Sequence, residues 1–194
     1  MNKALKVILV INTIVVLMSC GNDTVPKPKA MLRLDYPTPL YESINTELPF
    51  LFEKNKLSNS IGKIRSLQGQ NSLGLEVVYP SLKGTIFLTY KKVEGNLNNY
   101  LLDAQNITQT HTIKADEIIE QPYVNPEDNV FGMFYEIGGN AASQSQFYVT
   151  DSINHFLTGS LYFYVKPNYD SILPAADYLK KDIQHIMETI QWKN

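Results

Sequence analysis

Phe156-Leu157-Thr158-Gly159-Ser160-Leu161-Tyr162-Phe163-Tyr164-Val165 is the stretch that decides the fold class. Leu157, Gly159, Leu161, Phe163 and Val165 fall on one side of an extended chain, and Phe156, Thr158, Ser160, Tyr162 and Tyr164 on the other. That period of two predicts a strand. Ser143 to Thr150 predicts another, and only Asp151-Ser152-Ile153-Asn154 separates the two. A parallel crossover needs about a dozen residues or more, so the pair forms an antiparallel hairpin.

Working outward, Val130 to Ile137 predicts a further strand, and Phe50 to Glu53 a short one. Leu75 to Tyr79 and Thr85 to Tyr90 flank Pro80-Ser81-Leu82-Lys83-Gly84, the loop of a second hairpin. Two segments change period. Leu97, Tyr100, Leu101, Ala104, Ile107 and Thr108 make one stripe of a helix over Asn96 to Thr110, with Asn96 placed to accept from a first-turn N–H. Ile172, Ala176, Leu179, Ile183, Ile186, Met187 and Ile190 make the stripe of a longer helix that starts at Ser171 and tolerates Pro174 in its first turn. Lys180, Lys181, Asp182 and Gln184 are expected on its watery side.

Leu34 to Pro49, Asn55 to Gly74 and Lys114 to Asn129 read as irregular chain, the last because of Pro122, Pro126, Glu127 and Asp128. Strands, helix, strands, helix is the order of the α+β class: an antiparallel sheet with packed helices.

The amino terminus carries a different message. Lys3 and Lys6 precede and enter an apolar run, Ala4 to Met18, interrupted only by Lys6, Asn12 and Thr13. Leu17-Met18-Ser19-Cys20 closes it with a small residue and the only cysteine. That is the pattern of a bacterial lipobox, which implies cleavage before Cys20 and a diacylglyceryl group on its sulfur. The run is too short for a membrane span, which takes about 20 apolar residues. One acyl chain holds a protein marginally, whereas two hold it for long periods.

The division that follows is a signal peptide over residues 1–19, a lipidated cysteine and tether over residues 20–30, and one globular domain over residues 31–194. Pro26 and Pro28 favour extended geometry, and at about 3.1 Å per residue the tether lifts the domain on the order of 30 Å. The chain carries 17 Lys and Arg against 19 Asp and Glu, and loss of Lys3 and Lys6 with the leader makes it more acidic still. Nucleic acid is therefore not an expected partner. With Cys20 acylated, no thiol remains for a disulfide, a thiolate metal site or a cysteine nucleophile.

The run Gly132-Met133-Phe134-Tyr135-Glu136-Ile137-Gly138-Gly139-Asn140, continued through Ser143-Gln144-Ser145-Gln146-Phe147-Tyr148-Val149-Thr150-Asp151-Ser152 and His155-Phe156-Leu157-Thr158-Gly159, resembles the gliding motility lipoproteins of the GldD family of Bacteroidetes. So do His111-Thr112-Ile113-Lys114-Ala115-Asp116, Pro167-Asn168-Tyr169-Asp170-Ser171, and Leu32-Arg33-Leu34-Asp35-Tyr36-Pro37. The resemblance implies a non-enzymatic envelope protein needed for gliding and the associated type IX secretion system. It implies partners among the proteins of those systems, and a lipid anchor at the periplasmic face of the inner membrane, with the outer membrane as the alternative. The strand and helix order also resembles the PsbP-like α/β/α sandwich, an analogy of fold that carries no function.

Gly138 to Ser143 reads as a turn between strands, because phosphate-binding loops need a spaced glycine signature and a following helix. His111, His155 and His185 lack the spacing of a metal site, and no cofactor is implied. Asp151 and Ser152 beside His155 suggest turn chemistry before they suggest a catalytic triad. Gln144, Gln146, Tyr148 and Thr150 share one strand face, with Tyr162 and Tyr164 on the neighbouring strand. Asn140, Ser143, Gln144, Gln146, Tyr148, Tyr162 and Tyr164 are thus the expected partner surface. Two rival readings stay open: a module that binds a small ligand or cell-wall glycan beside Asn140, and a hydrolase that uses Ser143 or His155.

Overall fold

The computed structural model describes residues 34–44, 47–61, 65–66, 72–165 and 169–193. The expected signal peptide, Cys20 and the tether lie outside the described residues. Among the described residues no helix is long and apolar enough to cross a membrane.

The larger sheet has eight strands among the described residues and is antiparallel throughout. They are β3 (Ser60–Ile61), β4 (Arg65–Ser66), β5 (Ser72–Tyr79), β6 (Gly84–Lys92), β7 (Ala115–Asn125), β8 (Val130–Gly139), β9 (Ser143–Thr150) and β10 (His155–Phe163). The order is β3-β5-β6-β10-β9-β8-β7, with β4 also on β5. A second sheet joins β1 (Tyr41–Ile44), β2 (Phe50–Asn55) and β11 (Gln191–Trp192) in the order β1-β2-β11. Helix α1 covers Leu97–Gln109 and helix α2 Tyr169–Glu188. The α+β class is as the alternation requires.

The strand β10 shows why that alternation decides the fold. Leu157 and Leu161 are fully buried on the face that carries Phe147 and Val149 of β9 and Ile86 and Leu88 of β6. Helix α2 closes this face with Leu179, Ile183, Ile186 and Met187, beside Phe50 and Phe52 of the small sheet. Each fully buried side chain of this size contributes about 1.5–3 kcal/mol, so this layer carries most of the fold's stability. Gly159 belongs to it for a steric reason: a Cβ there would stand 2.1 Å from the ring of Phe147, its cross-strand partner. On the opposite face Phe156 meets Val93 and Ala104, with Tyr100 of α1 packed against them. One helix therefore lies on each face of the sheet.

Several expectations need correction. Lys114 to Asn129 was expected as a loop, yet Ala115–Asn125 is a strand, paired with β8 at the sheet edge. Edge residues such as Glu117, Glu120 and Gln121 are exposed, which removes the apolar alternation that marks a strand. Pro122 is tolerated because an edge strand leaves half its N–H groups without a ladder partner. Among the described residues of 34–49 β1 is the one strand, and Asn55 to Gly74 contains β3, β4 and the start of β5.

Helix α2 starts two residues before Ser171, which puts Pro174 beyond the first turn. Asp182, expected in water, is fully buried. Asn96 stands at the N-cap of α1 without capping it; its Oδ1 accepts from the Glu94 N–H (3.0 Å) and its Nδ2 donates to the Tyr100 hydroxyl (2.9 Å).

Candidate functional site

The expected partner surface divides into buried and exposed residues. Gln146 and Tyr148 share a face of β9 opposite Ser160 and Thr158 of β10, but α1 crosses above them. The Thr108 hydroxyl donates to Gln146 Oε1 (3.0 Å), and Gln146 is 4% exposed. Tyr148 is half-buried, stacked on Phe156 at 6.0 Å. The space beneath the helix is about 40 Å³, room for a water or two and no more. Ser143 and Gln144 are buried as well. Tyr162 lies opposite Ser143 across a register shift and meets Phe87 edge-on at 5.7 Å. Only Tyr164 and Asn140 of the set are exposed.

The Gly138–Ser143 segment is a turn with its polar groups committed inward. Gly139 has φ +92°, and a Cβ there would press on the Asp116 backbone nitrogen at 2.7 Å. Asn140 Oδ1 accepts from the Tyr169 N–H (3.0 Å), which satisfies an orphan donor in the first turn of α2 from across the fold. The Gln144 amide donates to Ala141 O (2.8 Å) and the Ser143 hydroxyl to Ser145 O (3.1 Å).

The fold does not bring Ser143 and His155 together. Ser143 begins β9 and His155 follows its far end, a separation on the order of 20 Å at strand rise. Asp151 Oδ1 accepts from the N–H groups of Ile153, Asn154 and His155 at 3.0, 2.8 and 2.8 Å, as a turn-forming aspartate does. Burial raises the Asp151 pKa, but these three donors outweigh it and hold the carboxyl below its ordinary value. Burial also lowers the pKa of His155, against the opposing pull of Asp151. His155 Nδ1 shares a hydrogen bond with the Tyr90 hydroxyl (2.8 Å). His185 Nε2 is paired with Glu53 (2.8 Å). Among the described residues no group of His, Cys, Asp and Glu is gathered to hold a metal ion.

Two arrangements escaped the sequence. The first is a buried polar centre between α2 and the small sheet. Asn55 Nδ2 donates to both oxygens of Asp182, at 3.2 and 2.9 Å, and the Tyr41 hydroxyl donates to Oδ1 at 2.9 Å. Tyr178 meets the same amide at 3.1 Å, and the buried Tyr79 hydroxyl lies near the carboxylate but outside hydrogen-bond geometry. Burial raises the Asp182 pKa, against Asn55 and Tyr41, which lower it. The Tyr41 ring also stacks on His185 at 3.5 Å, and Lys54 of β2 pairs with Glu42 at 2.7 Å. These contacts clamp β1 onto the body of the fold.

The second is a cleft of about 490 Å³ at one end of the larger sheet, where two turns and the last strand, distant in sequence, converge. Glu127, Asp128 and Asn129 come from the β7–β8 turn, Asp151 and His155 from the β9–β10 turn, and Trp192 from β11. The Trp192 and His155 rings lie parallel within 6° and 4.9 Å apart, and the indole N–H donates to Asn129 O (3.1 Å). The only sequence signal for this cleft is the turn chemistry around Asp151 and Asn129, since nothing local brings Trp192 to them.

The family model for the gliding motility lipoprotein GldD matches residues 21–192, from the position after Cys20 to the indole of the cleft. A search of curated proteins returned no match. The match takes in every element described above, and the chain belongs to the GldD family of gliding motility lipoproteins.

Proposed function

We propose that the chain is cut before Cys20, is acylated there, and acts from the periplasmic face of the inner membrane as a non-enzymatic component of the gliding and type IX secretion machinery. Residues 1–19 are the signal, residues 20–30 the tether and residues 31–194 the working domain. The observation that carries this reading is the lipobox Leu17-Met18-Ser19-Cys20 immediately ahead of a family match that begins at residue 21. Two acyl chains on Cys20 supply durable anchoring.

The clamp on β1 supports the same reading, because β1 is the first strand after the tether and the Tyr41, Asn55 and Asp182 contacts pin it to α2. Pulling on the tether is therefore resisted by the core of the domain. Protein contacts fit the molecule better than catalysis, since Asp151, His155 and Ser143 are each used by the fold.

The test is a deletion strain complemented with the wild-type gene or with Cys20→Ala. Loss of spreading and of secreted protein in the deletion, restored by the wild type and not by Cys20→Ala, is the expected result. Normal gliding in the deletion strain overturns the motility role. Full activity of Cys20→Ala overturns the anchor.

A further inference from the structure

The cleft between the two turns and β11 is bordered by Trp192, whose indole packs on one side against Phe50 of the core. Trp192 is the only tryptophan in the sequence, and it stands half-exposed at the end of the last strand. It stacks face to face on His155, so each ring covers one face of the other and the outer side of the pair borders the open volume. The lining adds Glu127, Asp128 and Asp151 and, among the described residues, no lysine or arginine, so its charged side chains are acidic. Ile153, 70% exposed, adds apolar surface at its edge. An aromatic stack with carboxylates around it suits a planar organic cation, which lies against an outer ring face and donates hydrogen bonds in the plane of its fork. The carboxylates are spread around the cleft instead of being gathered as metal ligands. The volume accommodates a long side chain with its flanking backbone.

We propose that this cleft is a receptor for an arginine side chain presented by an extended segment of a partner polypeptide. The guanidinium lies against the outer side of the Trp192–His155 stack, with Glu127 on the β7–β8 turn as its main carboxylate and Asp128, one oxygen of which accepts from Asn125 Nδ2 (3.0 Å), adding charge. Asp151 contributes charge while it holds its own turn in shape. The proposal stands on the geometry of the cleft and holds whether or not the partner belongs to the motility machinery.

The chain reports on itself, because all indole emission comes from Trp192. Full-length lipoprotein in detergent micelles is titrated with the blocked peptide acetyl-Gly-Arg-Gly-amide, with its citrulline counterpart, which has the same shape and no charge, and with neutral di-N-acetylchitobiose. The expected result is a saturable change in Trp192 emission with the arginine peptide, weaker by at least about tenfold with citrulline and absent with the disaccharide. Glu127→Gln weakens the arginine response about threefold, the effect of one partly exposed charge. Glu127 reaches the fold through its backbone N–H on Asn125 Oδ1, so its side chain can be changed without loss of the turn. Equal responses to arginine and citrulline peptides, a disaccharide response as strong as the arginine one, or no arginine response at tens of millimolar each overturn the proposal.

Discussion

Asn55→Ala is the most informative single change in the interior. Asn55 supplies two of the hydrogen bonds to Asp182, whose side chain is fully removed from water, and after truncation the Tyr41 hydroxyl keeps its bond while the Tyr79 hydroxyl lies nearby. Hydrogen bonds to a charged group contribute about 1.5–3 kcal/mol each, and a buried charge that loses its partner destabilises by about 3–5 kcal/mol. A loss of about 3–5 kcal/mol is therefore expected, against a total of about 5–15 kcal/mol for a domain.

The diagnosis lies in the double-mutant cycle with Asp182→Asn. With a neutral amide at position 182, Asn55→Ala leaves an uncharged group unpaired, at about 1–3 kcal/mol, so the two changes couple by about 2 kcal/mol. Acid gives an independent check. Burial sets the Asp182 pKa above that of the unfolded chain, so its contribution to stability declines as pH rises through the raised value, and the charge penalty is complete above it. The Asn55→Ala deficit must then shrink on acidification from neutral pH. Urea unfolding followed by Trp192 emission measures all four proteins at both pH values. A deficit that is the same in the Asp182→Asn background and independent of pH refutes the reasoning.

Three further outcomes follow from the packing. Gly159→Ala forces a methyl group against the buried Phe147 ring and lowers stability by about 1–3 kcal/mol, read as a Tm drop of about 3–10 °C, which Phe147→Leu partly reverses. Asn140→Ala removes the acceptor of the Tyr169 N–H and costs about 1 kcal/mol in thermal unfolding while leaving Trp192 titrations unchanged. Asp151→Ala frees three backbone donors at a cost of about 1–2 kcal/mol. Because the folded Asp151 pKa is lowered, its contribution is present above the unfolded carboxylate value and disappears as pH falls through the folded one. The advantage of wild type over Asp151→Ala must therefore fade in acid.

The sheet interior was legible because each buried strand writes its own period. Leu157 and Leu161 in β10, and Leu75 and Val77 in β5, face the core while their neighbours do not. The stripe from Ile172 to Ile190 was legible for the same reason, and all seven of its residues are buried. The edge strand β7 was not, because Glu117, Glu120 and Gln121 are solvated and no apolar period survives there.

Polar residues misled wherever their partners were remote. Asp182 reads as a surface residue until Tyr41 and Asn55, 141 and 127 positions away, arrive beside it. Gln146 reads as an interaction residue until Thr108 occupies it. The cleft was invisible in sequence because turns around residues 127–129 and 151–155 meet Trp192 only through the order of the strands.

The account depends on a lipid at the start of the mature chain. Intact-mass and fragment spectra of the protein extracted from native membranes examine that directly. The predicted product begins at Cys20 and carries a diacylglyceryl group on its sulfur. A chain that retains residues 1–19, or one whose Cys20 thiol is free, contradicts the central claim.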